Sequence, residues 1–140
     1  MLDRWKIIET SKGNRTLTLL PPDLVAEIME LWSSFLLRIL SKILDKVKPD
    51  YVTVWENMCY KSRPLTSPRL FEEFMLPNYK KVTGLIRSRN VDIVMVDTDG
   101  NHEAITDLFM EGGVNRLYPL EHVCGLDAVK LRRSSAGDYY

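Results

Sequence analysis

Polar side chains that could perform acid–base or metal chemistry occur at three places in the chain, each directly after a short apolar run. They are Glu56 and Asn57, then Asp97, Asp99 and Asn101, and then Glu121 and His122. A buried parallel strand has this pattern when it delivers polar groups to a functional edge, because ligands in such folds sit beyond the carboxyl ends of the strands. We therefore expect the three groups to share one face of the protein.

Asp97 and Asp99 lie two residues apart, so on an extended strand both carboxylates would point the same way. Such a pair, with His102 nearby, could hold a divalent metal or share a proton, and both aspartates are candidate catalytic groups. Asn101 is a candidate substrate-binding residue. Turn and capping chemistry is the alternative, because Gly100 suits a tight turn and Asn101 can cap a following helix. No firm metal is assigned, since no cysteine or second histidine stands at a spacing that supports zinc.

The other two strand ends are also open to two interpretations. Glu56 could act as a catalytic base with Asn57 binding the substrate, or both could bind backbone groups of the loop. His122 is a candidate acid or base near neutral pH, and Glu121 beside it is a candidate substrate-binding residue. A solvated loop histidine is the commoner case.

One long amphipathic helix precedes the first of these strands. Apolar residues recur at three- and four-residue steps from Leu24 to Val47, and Pro22 and Asp23 mark the helix start. The helix should end before Pro49. Because an apolar stripe on a helix is far more often a core face than a cofactor site, we expect this stripe to be buried.

Strands and helices alternate after the long helix. The predicted strands cover residues 51–55, 91–97 and 114–120, and the predicted helices begin near residues 67, 103 and 127. Pro77 should kink the first of these helices, and Gly112 and Gly113 should end the second. This alternation predicts an α/β fold with about three parallel βα units.

The predicted domain covers residues 21–133. Residues 1–20 carry weak β alternation around a turn signal at residues 12–14 and could pair as a hairpin, but we interpret them as a weakly structured lead-in. Residues 134–140 carry no packing pattern and are expected to fray.

The composition excludes several classes of function. The 140 residues include 19 basic and 19 acidic side chains, so there is no excess of positive charge to indicate nucleic-acid or anionic-membrane binding. No apolar stretch predicts a membrane span, and the first residues lack the apolar core of a secretion signal. Cys59 and Cys124 have no metal-type spacing and are expected to be packing residues. We expect a cytoplasmic protein with a small-molecule substrate.

From Pro22 onward the order of features resembles the uroporphyrinogen decarboxylase superfamily. The matching stretches are residues 22–25, 50–52, 55–58, 67–74, 76–80, 97–101, 119–121 and 125–127. The chain is most similar to the divergent decarboxylase-like branch, close to the corrinoid-linked methyltransferases. The resemblance implies a (β/α)8, or TIM, barrel. Since such a barrel typically needs about 250 residues, it also implies that the chain is a partial barrel, a fragment of the second half.

The resemblance implies a parent enzyme that acts on a tetrapyrrole carboxylate or in corrinoid-linked methyl transfer. A corrinoid protein would then be a partner, and a divalent metal could be a cofactor. Two positions depart from the family pattern. Asn57 stands where the decarboxylase has serine, and Asp97 and Asp99 stand where the zinc-dependent methyltransferases have a His-x-Cys pair. Because a thiolate is the ligand that suits zinc, the methyltransferase zinc site is not implied.

Two further hypotheses come from the residues themselves. A half-barrel has unpaired strand edges and an apolar sheet surface, which predicts a non-catalytic chain that self-associates, for example as a homodimer. The other hypothesis is a metal-assisted hydrolase that uses Asp97, Asp99 and His122.

Overall fold

The computed structural model describes residues 6–8 and 18–134 of the chain. The helices are α1 (Pro22–Leu44), α2 (Pro68–Leu70), α3 (Leu76–Ser88), α4 (Thr106–Glu111) and α5 (Ala128–Ser134), and the strands are β1 (Lys6–Ile8), β2 (Thr18–Leu20), β3 (Tyr51–Trp55), β4 (Ile93–Asp97) and β5 (Arg116–Tyr118). A π-helical turn (Phe71–Met75) joins α2 to α3, and 3-10 turns cover Glu103–Ile105 and His122–Cys124. No helix in this part of the chain is both long and apolar enough to traverse a lipid bilayer.

The main sheet confirms the predicted α/β arrangement. β3, β4 and β5 lie side by side in chain order, and both pairs are parallel. The chain returns from each strand to the next through a helical segment, as parallel pairing requires.

The segment before α1 contains an antiparallel pair, in which β1 aligns with β2. Of the two alternatives considered for residues 1–20, the structure thus contains the hairpin pairing. Residues 1–5 and 9–17, and the tail from residue 135, lie outside the described residues.

The two faces of the sheet differ sharply. Val94 and Val96 on β4 are fully buried against the helices, and Val52 and Val54 on β3 pack against the same core. The alternate residues of the strands face the other way, because side chains alternate along a strand. That second face is open, and Trp55 is 82 % exposed.

An aromatic cluster fills the space between the sheet and the helices. Phe71, Tyr79 and Phe109 pack with ring centroids 4.9–5.7 Å apart, and Phe71 and Phe109 are fully buried. Edge-on and offset contacts of this kind add to the stabilisation from burial alone. The cluster ties the π-helical turn to α3 and α4.

Pro77 is accommodated by an irregular helix. Proline has no N–H to donate to the carbonyl one turn earlier, and the π-helical turn of Phe71–Met75 lies immediately before it. The Asn78 side chain donates to the carbonyl of Phe74 at 2.9 Å. The irregularity predicted at Pro77 therefore takes the form of a π turn between two α-helical segments.

The long helix α1 forms as predicted, but the prediction that its apolar stripe is buried is wrong for most of the stripe. Leu44 is buried, and Leu36 and Leu40 pack against the core. Leu31 is 74 % exposed and Trp32 is 58 % exposed. The apolar surface of α1 is wider than the face that α3 and the π-helical turn cover, so one border of it packs and the rest remains in solvent.

Candidate functional site

Asp97 ends β4 on the open face of the sheet. The strand register places it between Trp55 on β3 and Tyr118 on β5. The pKa of the Tyr118 hydroxyl is raised, first by partial burial and then by the negative charge of Asp97, while a hydrogen bond with Thr53 opposes the rise. The Asp97 carboxylate thus lies at the carboxyl edge of the sheet between two aromatic side chains, the indole of Trp55 and the phenol of Tyr118.

Thr98 fixes the backbone that follows Asp97. It is fully buried, its N–H donates to the carbonyl of Tyr118 at 2.9 Å, and its hydroxyl lies 3.5 Å from the N–H of Met58 as an acceptor. Strand-like alternation therefore continues for one residue past β4, and Asp99 emerges exposed at the rim. Sequence reasoning did not single out Thr98, although its place between two aspartates marks it as the inward-facing member of an alternating triplet.

Glu56 follows Trp55 and is directed at the helical layer. Its Oε1 accepts a hydrogen bond from the Tyr79 hydroxyl at 2.5 Å. Burial raises the pKa of the Glu56 carboxyl, and the Tyr79 hydrogen bond offsets part of that rise. The Glu56 side chain therefore bonds to α3 on the helical side of the sheet. The preceding residue, Trp55, lies on the open face with Asp97. Asn57, the candidate beside Glu56, is exposed.

Glu121 and Asn101 connect the loops that follow β4 and β5. The Glu121 carboxylate accepts from the Gly100 N–H at 2.6 Å and from the Cys124 thiol at 3.4 Å. Asn101 donates to the Cys124 carbonyl at 2.9 Å and accepts from the Glu103 N–H at 3.0 Å. The bonds of Asn101 fit the capping role that was its alternative to substrate binding, and those of Glu121 hold loop groups in place.

Gly100 is required where these loops meet. Its φ is +84°, and a Cβ at this position would lie 2.5 Å from the carbonyl oxygen of Tyr60. The next residue, Asn101, donates its N–H to that same oxygen at 2.9 Å. The loop after β3 is thereby held against the loop after β4, as expected of a rim built from adjacent strand ends.

His122 lies in the segment that follows β5. It is exposed in the 3-10 turn of His122–Cys124. The pKa of Asp127 is lowered mainly by the N–H groups of Lys130 and Val129, and His122 adds a smaller electrostatic contribution. His122 therefore lies near the start of α5.

His102 is the histidine that the fold encloses. It is fully buried, and its Nδ1 lies 3.1 Å from the Thr106 hydroxyl. Burial lowers the pKa of the imidazole, and the nearby Pro119 carbonyl opposes the change, although Nε2 makes no hydrogen bond of ordinary geometry with any described residue. The signal in the sequence was the three- and four-residue spacing of His102, Ile105, Thr106 and Phe109, all of which are buried.

The donor groups do not converge on a metal position. Within residues 6–8 and 18–134, no three His, Cys, Asp or Glu side chains are grouped so that they could hold a metal ion. The Cys124 thiol faces the Glu121 carboxylate, and burial together with that negative charge raises the pKa of the thiol. The hydrolase hypothesis, which needs Asp97, Asp99 and His122 around one ion, gains no support from this geometry.

Comparison of the chain with models of protein families, with curated proteins and with solved structures gave no match.

Proposed function

We propose that the chain is part of a decarboxylase-like (β/α)8 barrel enzyme, resembling the uroporphyrinogen decarboxylase superfamily, that binds a tetrapyrrole at the carboxyl edge of β3, β4 and β5. The observation that carries the proposal is the position of Asp97 on the open face between Trp55 and Tyr118. Three parallel strands in chain order, with helices on one face, are also what one segment of such a barrel contains.

The chemistry of this edge suits a flat ring that carries N–H groups. A carboxylate accepts hydrogen bonds from pyrrole N–H donors, and aromatic side chains on either side favour contact with a planar ligand. A fixed negative charge would also stabilise a pyrrole ring that gains positive charge when a ring carbon is protonated. Ring binding and stabilisation of this positive charge are what a decarboxylation requires. In that reaction a carboxylate substituent leaves as CO₂, the electron pair of the broken C–C bond stays on the substituent carbon, and a proton replaces the carboxylate there.

The metal-ligand types of the side chains at the rim favour decarboxylation over methyl transfer. Activation of a thiol substrate by zinc uses soft ligands, and the β4 rim offers Asp97 and Asp99 instead. A corrinoid partner therefore has no residue-level support at this edge. In the proposal, the strands that complete the barrel come from sequence beyond this chain or from another chain.

Within the proposed site the residues take different roles. Asp97 contacts the ligand and Tyr118 lies beside it, while Asp99 and Asn57 stand exposed at the rim within reach of substituents on the ring. Glu56 positions β3 through Tyr79, and Glu121 and Asn101 hold the rim loops in place. Thr98 is a further positioning residue, since it anchors the backbone between the two aspartates.

The test measures binding of uroporphyrin, a stable and fluorescent octacarboxylate tetrapyrrole, to the wild type and to Asp97→Asn. Loss of a hydrogen bond to a charged group costs about 1.5–3 kcal/mol, so Kd should rise by about tenfold to a hundredfold or more. Asp92→Asn is the matched control, because Asp92 is an exposed aspartate at the opposite end of β4. Its Kd should equal that of the wild type.

Trp55 supplies a second readout. Its exposed indole lies beside Asp97, so bound tetrapyrrole should quench its fluorescence, and Trp55→Phe should remove that quenching. The proposal is wrong if the wild type does not bind the tetrapyrrole, or if Asp97→Asn and Asp92→Asn bind it equally well.

A further inference from the structure

A continuous apolar stripe on α1 is left in solvent. Its residues recur at three- and four-residue steps and are 37–74 % exposed: Leu24, Ile28, Leu31, Trp32, Phe35, Ile39 and Ile43. At 1.5 Å per residue the stripe is about 28 Å long. Trp32 and Phe35 stack near its middle, with ring centroids 5.5 Å apart. Exposed apolar surface of this extent marks an interaction site.

The stripe is separate from the face by which α1 joins its own domain. On that face the Ser33 hydroxyl lies 2.9 Å from the Asn78 Oδ1 on α3, and Leu37 and Leu44 contribute to the core. At 3.6 residues per turn, Phe35 lies about 160° around the helix from Ser33 and Leu44 lies on the same side as Ser33. The domain therefore cannot cover the stripe by a small shift of α1.

The charges beside the stripe are distributed unevenly along the helix. Asp23 and Glu27 lie in its N-terminal half, and Arg38 and Lys42 lie in its C-terminal half. Glu27 and Lys42 are within about 60° of each other around the helix, so both border the same side of the stripe. Both are exposed, and neither forms an ion pair with another residue that the structure describes. Glu30, by contrast, is already paired with Lys81 on α3.

This distribution is complementary to itself only when two such helices run in opposite directions. In a two-fold symmetric pair, residue i of one helix meets residue j of the other and j meets i. Packing Phe35 against its own copy places Glu27 beside Lys42 of the second helix, and symmetry repeats the pair. A parallel arrangement would instead place acidic residues against acidic residues and basic against basic.

We propose that the exposed stripe of α1 is the interface of a homodimer, in which a second copy of this chain packs antiparallel on it with Phe35 near the two-fold axis. The apolar side chains from Ile28 to Ile43 form the centre of the interface, and the Glu27–Lys42 pairs lie at its border. This inference does not rest on the proposed function, because the tetrapyrrole edge is formed by β3, β4 and β5.

The experiment is sedimentation equilibrium of the full chain at low ionic strength. The wild type should sediment as a dimer and Phe35→Glu as a monomer, because the substitution places two like charges at the axis. Val123→Glu is the matched control: Val123 is 77 % exposed and lies outside the stripe, so that variant should remain dimeric. Circular dichroism should show wild-type helix content in both variants.

Charge reversal tests the antiparallel register. Glu27→Lys or Lys42→Glu alone should raise the dimer Kd by about twofold to thirtyfold, since an exposed pair contributes about 0.2–1 kcal/mol and symmetry counts it twice. The double variant restores both pairs and should recover the wild-type Kd. A parallel dimer or an unrelated association would give no recovery.

Four results would overturn the proposal. The wild type could remain monomeric up to its solubility limit, which would mean that another part of a longer protein or a different partner covers the stripe. Phe35→Glu could leave association unchanged, or Val123→Glu could abolish it as well. The charge-reversed double variant could fail to recover. Asp97→Asn should leave the dimer intact, so failure of the tetrapyrrole proposal and failure of the dimer proposal are distinguishable.

Discussion

The hydrogen bond between Tyr79 and Glu56 gives the sharpest prediction about the edge of the sheet. Tyr79→Phe removes one oxygen atom and leaves the ring, so the contacts with Phe71 and Phe109 at 5.7 and 5.5 Å are preserved. The lost hydrogen bond is 2.5 Å long, and its acceptor is the Glu56 carboxyl. Burial raises the pKa of that carboxyl and so disfavours its charged form. Hydrogen bonds to charged groups contribute about 1.5–3 kcal/mol, and we expect the free energy of unfolding at neutral pH to fall by that amount.

The pH dependence of this loss identifies its origin. The folded-state pKa of Glu56 is raised, so its contribution to stability is fully present below the unfolded pKa and is lost as pH rises through the folded value. Removing Tyr79 Oη removes an interaction that lowers the pKa, so the folded value rises further. Below the unfolded pKa the carboxyl is neutral in both states, and the cost of Tyr79→Phe should shrink to that of a neutral hydrogen bond, about 1 kcal/mol.

Urea unfolding of the wild type, Tyr79→Phe, Glu56→Gln and the double variant checks this reasoning as a double-mutant cycle. Glu56→Gln keeps an acceptor oxygen and carries no charge, so at neutral pH it should be at least as stable as the wild type. The reasoning is refuted if Tyr79→Phe costs the same at every pH, or if its cost is unchanged in the Glu56→Gln background. Either result would show that the hydroxyl acts through something other than the charge of Glu56.

Three further predictions concern single positions. Gly84 lies inside α3 with open space beside it, where a Cβ would meet nothing within 4 Å, so Gly84→Ala should raise the free energy of unfolding by about 0.4–1 kcal/mol. Gly113 has φ +90° and a Cβ there would collide with Thr83 Oγ1, so Gly113→Ala should lower the free energy of unfolding. Thermal unfolding checks both variants, and a change of the same sign in the two would contradict one of these predictions. Because burial lowers the pKa of His102, the unfolded chain binds a proton at higher pH than the folded chain, and stability should fall as pH drops below about 6.5. His102→Gln should flatten that slope in urea unfolding between about pH 7 and about pH 5, and parallel slopes for the two proteins would rule out His102 as its source.

Local signals in the sequence were sufficient to predict α1 and the three strands of the main sheet. The Pro22–Asp23 start of α1 and the three-residue and four-residue apolar spacing depend only on near neighbours along the chain, and α1 covers Pro22–Leu44. Ser67 accepts a hydrogen bond from the Leu70 N–H at 3.3 Å, as an N-cap must. The strands of the main sheet were predictable for the same reason, because apolar and β-branched residues favour strands whichever neighbouring strands they pair with.

The candidate site was only partly predictable. Its location at the strand ends follows from a general rule of parallel sheets, and Asp97 lies at that edge on the open face. The sequence could not show that Glu56 is directed at Tyr79, because the two residues are 23 positions apart and only the packing of α3 brings them together. Nor could it show that Glu121 is engaged by the Gly100 N–H, a contact made across two loops.

The exposure of the α1 stripe and the burial of His102 also depended on contacts between residues distant in the chain. The sequence by itself determined that α1 carries a broad apolar surface, because helical periodicity is a local property. Only the tertiary structure decided that α3 covers one border of that surface and leaves Leu31, Trp32 and their neighbours in solvent. Likewise, the sequence placed two histidines after strand ends, and packing alone buried His102 and exposed His122. Which side of an element is covered depends on residues distant in the chain, and that information is absent from any short stretch of sequence.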